Sequence, residues 1–211
     1  ARRRDAHRRL AAATEVPEER ARHLALATVG SDAGVAAALD DAARSALGRG
    51  APDEAASLSD LARRLTPSGE SDALRERVMS AAEYRFQSGD IRRARELAEE
   101  AISLAARGRA RALTLLRWCE MEWNDVRRCR ELLTMALEDA EDDPLVLAPF
   151  CDNLSWVELL SGNIERGLAL SERSVRLAES SGLPAPGLIG IAWARSILGR
   201  PSRDDWTRAW S

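Results

Sequence analysis

Tryptophan is the residue type whose placement first asks for a chemical explanation. Six Trp stand against two Phe and one Tyr, and all six lie between positions 118 and 210. Trp118, Trp156 and Trp193 each stand six residues ahead of a short polar break beginning at Asn124, Gly162 or Gly199. An indole is a large apolar plate with a single N–H donor. A row of such plates along a groove suits an apolar or aromatic ligand, or an extended peptide. Arg111, Glu122 and Asp152 would be its orienting polar groups, and Met121 and Leu159 further apolar wall. Rings on successive helix pairs would stand roughly 10 Å apart, the usual interaxial distance. The rival arrangement packs the same indoles between helices as core. The groove is the working expectation. Trp206 and Trp210, at i and i+4, are expected to pack on the preceding helix pair or at an interface.

Other chemistries find little to work with. His7 and His23 are the only histidines, and they fall on different predicted helices with no ligand set at metal spacing. No metal and no cofactor are expected. Asp40-Asp41, Asp142-Asp143 and Asp204-Asp205 lack further carboxylates one turn away. They read as a solvated helix face, a helix start and a first-turn pair favoured by the helix dipole. Cys119, Cys129 and Cys151 form no CxxC pair and read as buried, reduced thiols. No Ser or Cys has an evident general base. A binding module rather than an enzyme is the expectation.

The charge balance narrows the partners. Thirty-one basic and 34 acidic residues leave a net charge of −3, and every basic residue is Arg. The one basic cluster, Arg2, Arg3, Arg4, Arg8 and Arg9, is explained as well by a solvated first helix as by a partner, and no basic face of the kind a nucleic-acid binder shows is evident. No run approaches the ~18 apolar residues of a membrane span, and no signal peptide is evident. A cytoplasmic protein is expected, binding a protein or a small-molecule inducer but neither nucleic acid nor membrane. Self-association is left open.

These residues must be held by helices. Polar breaks begin at residues 50, 89, 124, 162 and 199, at intervals of 39, 35, 38 and 37. Counted from Ile91, Val126 and Ile164, apolar or small residues recur at offsets 3, 6, 7, 10, 11 and 14, one stripe of a 3.6-residue helix. Cys129 takes the small position held by Ala94 and Gly167, and small residues let a neighbouring helix come close. Asp143-Pro144 reads as an N-cap with Pro at the first helical position, and Asp90 and Asn163 as further caps. The pattern predicts helix pairs 32–48 with 52–66, 72–88 with 91–106, 108–123 with 125–141, 144–161 with 164–180 and 186–198 with 201–210. Helices at about 2–13 and 17–29 precede them. No period-two alternation points to a sheet. The fold class is all-α: antiparallel hairpins stacked as a right-handed superhelical solenoid of the tetratricopeptide type.

Two stretches carry a family resemblance. They are Ala6-His7-Arg8-Arg9-Leu10-Ala11 with Pro17 to Ala27, and Val35 to Asp40 leading through Arg49-Gly50-Ala51-Pro52 to Leu65-Thr66-Pro67. Residues 3–67 resemble the region that follows the ATPase module in large ATP-binding LuxR-type (MalT-like) transcriptional regulators of actinobacteria. The resemblance implies residues 1–30 as a helical linker after an ATPase module, and 31–211 as a helical-repeat sensor cut short at its C-terminus. It also implies that ATP and DNA binding belong to modules outside the chain. The chain itself has no GxxxxGK[ST] loop, which a chain without Lys cannot form, and no basic recognition helix.

Overall fold

In the computed structural model, residues 2–140 and 143–210 are described. Asp142, of the second acidic pair, lies outside them. Twelve α-helices and no strand occur among the described residues. They are α1 Arg2–Ala13, α2 Pro17–Ala27, α3 Ala33–Gly48, α4 Pro52–Leu65, α5 Ser71–Gln87 and α6 Ile91–Leu104. After these come α7 Arg109–Met121, α8 Val126–Ala140, α9 Pro144–Leu160, α10 Ile164–Ser180, α11 Leu188–Ile197 and α12 Arg203–Ala209. The fold is an all-α helical repeat, and each expected helix is present within a few residues of its expected ends. The chain divides into two compact units, Ala1–Ala105 and Ala106–Ser211.

The first unit is built on alanine. Ala36, Ala43, Ala46, Ala55, Ala56 and Ala62 are fully buried around Leu39 and Leu58. A methyl at these positions lets helix axes come close while still excluding water. Charged pairs then tie successive helices. Glu18 on α2 accepts from Ser45 Oγ at 2.6 Å and pairs with Arg49, and these contacts lower its carboxyl from 4.5 to about 2. Arg22 on α2 reaches Glu54 on α4 at 3.4 Å. Helix α2 is thus tied to α3 and α4. Arg77 on α5 donates to Asp40 Oδ2 at 2.9 Å and to Thr66 Oγ1 at 2.8 Å. Asp40 is therefore a half-buried partner of Arg77, not part of a solvated face, and burial raises its carboxyl.

The second unit uses small polar residues for the same purpose. Ser155 Oγ and Ser171 Oγ are 2.6 Å apart, and Ser174 Oγ donates to the Ala148 carbonyl at 2.9 Å; all three serines are buried. The stripes on α6, α8 and α10 are buried as expected with one clear exception, Leu137, which is 49% exposed. Asp90 and Asp143 cap α6 and α9 by accepting from Arg93 N and Leu145 N. Asn163 makes no side-chain cap. Its amide donates instead to Glu158 Oε2 at 2.7 Å, helping Arg130 and Arg166 to compensate a carboxylate with no solvent exposure. Asp205, expected to answer only the helix dipole, takes both its oxygens to Arg195 Nη1 at 3.1 and 3.0 Å. Trp206 Nε1 donates to Ser196 Oγ on α11, within its own hairpin rather than on the preceding pair, whereas Trp210 is 77% exposed. Cys119, Cys129 and Cys151 are free and buried, and burial pushes each thiol up. No helix among the described residues is long and apolar enough to cross a membrane.

Candidate functional site

Close approach of α11 to α9 and α10 sets the geometry of the candidate site. A Cβ at Gly187 would fall 2.5 Å from the Ser171 carbonyl oxygen, and one at Gly190 2.3 Å from Ser171 Oγ and 3.3 Å from Ser155 Oγ. Glycine at these two positions is what lets α11 settle on the serine seam. As the first helices of successive hairpins, α9 and α11 run the same way, so side chains of matching register meet. Trp156 and Trp193 meet with ring centroids 5.9 Å apart and planes inclined at 48°, a tilted aromatic pair. Both rings are half-buried and rest on Leu159, Leu168, Val175, Ile191 and Ala194.

One turn back from each indole stand Asp152 on α9 and Ile189 on α11, the latter 38% exposed. Asp152 is half-buried, and its Oδ1 is sealed from water with no hydrogen-bond partner. No ion pair reaches this carboxylate among the described residues. Burial, reinforced by the negative charge of Glu120 on α7, raises its carboxyl from 3.8 to about 6. The arrangement is a pair of indole plates with an uncompensated negative charge at one end.

The other expected site residues take different places. Trp118 is 4% exposed and belongs to the α7–α8 core, not to a groove. Its Nε1 donates to Glu122 Oε1 at 3.2 Å, and the Arg128 guanidinium lies 4.7 Å over its ring. The reason is a slip of one residue. Trp156 and Trp193 each stand four residues before the end of their helices at 160 and 197, whereas Trp118 stands three before 121. One residue turns a side chain by about 100° around the helix, here into the hairpin. The matching residue on α7 is Arg117. A three-ring ladder spaced at about 10 Å is therefore replaced by a two-ring contact. Arg111 is paired with Asp139, which also accepts from Gly108 N at 3.2 Å, so it orients the start of α7. Glu122, Met121 and Leu159 are buried at 4%, 8% and 2% and serve the core. Of the eight expected residues, Trp156, Trp193 and Leu159 pack in one cluster, with Asp152 one turn from Trp156.

Sequence reasoning missed two further groupings. His7 and His23 come together, with their Nδ1 atoms 3.2 Å apart, because α1 and α2 form a hairpin of nearly equal arms. Among the described residues no group of three or more His, Cys, Asp or Glu is placed to hold a metal. A half-open cavity of about 330 Å³ in the first unit is lined by Asp40, Arg44, Ser59, Glu76, Arg77 and Tyr84. Its charges balance and are tied to one another or to their neighbours: Arg77 holds Asp40, Arg44 pairs with Asp41, and Glu76 with Arg75.

Comparisons with known proteins bear on the fold. No protein-family model matches the chain, and no curated protein matches it. Among solved structures, the chain is similar to the crystal structure of BtubC (BKLC) from P. vanneervenii. The TM-score is 0.61 at 16% sequence identity, with 94% of this chain and 81% of that chain covered. This likeness is one of fold. An all-helical repeat of this kind fits a protein-interaction scaffold.

Proposed function

We propose that the chain is a binding module rather than an enzyme, and that it forms the inducer- or partner-sensing helical-repeat region of a LuxR-type ATP-binding transcriptional regulator. The observation that carries the binding role is the half-open Trp156–Trp193 pair beside the unpartnered carboxylate of Asp152. A large aromatic pair left partly wet, next to a charge left without a partner, lowers stability unless something covers both. The buried thiols, pushed up toward their neutral forms, are poor nucleophiles, which supports the non-enzymatic reading. The regulatory role is supported by the resemblance of residues 3–67, and with it the expectation of a cytoplasmic protein whose ATP and DNA contacts lie in flanking modules. The second reading is a protein-interaction scaffold with no link to transcription, which the helical-repeat fold fits equally well.

The two readings separate in one experiment. The full-length gene is placed in a reporter strain carrying its own upstream promoters, as wild type and as Trp193→Ala. The regulator reading expects a phosphate loop upstream, a helix-turn-helix downstream, and a reporter response that Trp193→Ala removes at unchanged protein level. Absence of both flanking modules would leave the scaffold reading. A response indifferent to Trp193 would remove the site from either.

A further inference from the structure

We infer that the ligand class taken by the Trp156–Trp193 site is an organic cation, an ammonium or guanidinium group carried on an apolar body. The inference rests on the reading of these residues as a binding site. It follows from which polar groups are free to meet a ligand. Arg111 is held by Asp139, and Glu122 is sealed and accepts from the Trp118 indole. Asp152 is what remains, and it has no partner.

The chemistry of the remaining surfaces has one sign. A carboxylate withdrawn from water is costly unless a cation answers it. Three arginines of this unit are engaged away from it: Arg195 with Asp205 and Glu172, Arg130 with Glu158, and Arg128 over the Trp118 ring. Indole faces carry negative electrostatic potential and attract ammonium and guanidinium groups. Trp156 stands one turn from Asp152 and in contact with Trp193, so the carboxylate lies on the face of α9 that carries the ring pair. Ile189 and the ring edges give a hydrocarbon body a dry surface. An anionic ligand would meet Asp152 and the ring faces as repulsion, and a neutral one would leave Asp152 without its partner.

The test uses the whole chain and probes of matched shape. Phenethylammonium, its neutral analogue 2-phenylethanol and N-acetyl-arginine amide are titrated by calorimetry and by tryptophan fluorescence, into wild type and Asp152→Asn at constant ionic strength. Circular dichroism melts show whether the variant folds. One or both cations are expected to saturate, the alcohol to bind at least about tenfold more weakly, and Asp152→Asn to weaken the cations about tenfold while leaving the alcohol unchanged. Tighter binding of the arginine amide would assign the cation to a polypeptide, and tighter binding of the amine to a small molecule; both support the class. Equal binding of amine and alcohol, or cation binding indifferent to Asp152→Asn, would overturn the cationic class while leaving the aromatic site standing. No saturable response to any probe would overturn the class and the site together.

Discussion

Asp152 costs the fold stability, and the pH at which it does so can be worked out. Its carboxyl is raised from 3.8 to about 6 in the folded chain. Below pH 3.8 the group is protonated in both states and exacts no penalty. Between about 4 and 6 the unfolded chain releases the proton first, so stability falls as pH rises, and above 6 the loss is constant. Asp152→Asn is expected to raise stability at pH 7.5, by at most about 3 kcal/mol, and the gain should vanish near pH 3.5. Urea melts of both proteins across this range check it; a gain that persists at pH 3.5 would mean that the buried charge is not its source. Trp118 behaves in the opposite way. It is sealed and hydrogen-bonded, so Trp118→Ala should cost about 3–5 kcal/mol, whereas Trp193→Ala at a half-buried ring should cost clearly less. Equal losses in thermal melts would show that the two indoles share one environment.

At the scale of the helix, the seam between α10 and α11 decides whether the aromatic pair exists. Gly187→Ala places a methyl 2.5 Å from a backbone carbonyl oxygen that has no side-chain rotation by which to yield. Overpacking of this kind is expected to cost about 1–3 kcal/mol and to lift α11 away from α9, seen as a blue-to-red shift of tryptophan emission when the pair separates. An unchanged melting temperature and emission maximum would place the seam elsewhere. Helices were legible in the sequence because their signals are local. Period-3.6 stripes, Asp caps at 90 and 143 and the glycine-marked breaks all act within one or two turns. The site was legible only in part, because facing is a matter of degrees around an axis. Counting back from the breaks placed Trp156 and Trp193 correctly relative to each other. The same count failed for Trp118, since Asn124 lies three residues past the end of α7, against two for Gly162 after α9 and Gly199 after α11. Pairings such as Arg77–Asp40 or His7–His23 join residues 37 and 16 apart, and no local pattern announces them.

The two compact units each contain a core of their own, and the first is the simpler to test alone. Its buried alanines and leucines, with Tyr84, form one cluster reaching from α2 to α5. Residues 1–105 are expected to fold as a helical protein with a cooperative melt, since a chain of this length can bury a sufficient core. A gradual, non-cooperative loss of ellipticity would show that the unit borrows its stability. The ion pairs that bind helix to helix carry a further consequence. Their cationic member is always arginine, because the chain has no lysine. A guanidinium keeps its proton beyond about pH 12, so alkali has no purchase on these clamps, and the raised thiols offer it none either. Acid does have a handle, since every clamp ends in a carboxylate, and even Glu18 must take up its proton as pH falls from 4.5 toward 2. The molecule is therefore hardened on one flank only: it should keep its shape in carbonate buffer at pH 10.5 and come apart in dilute formic acid.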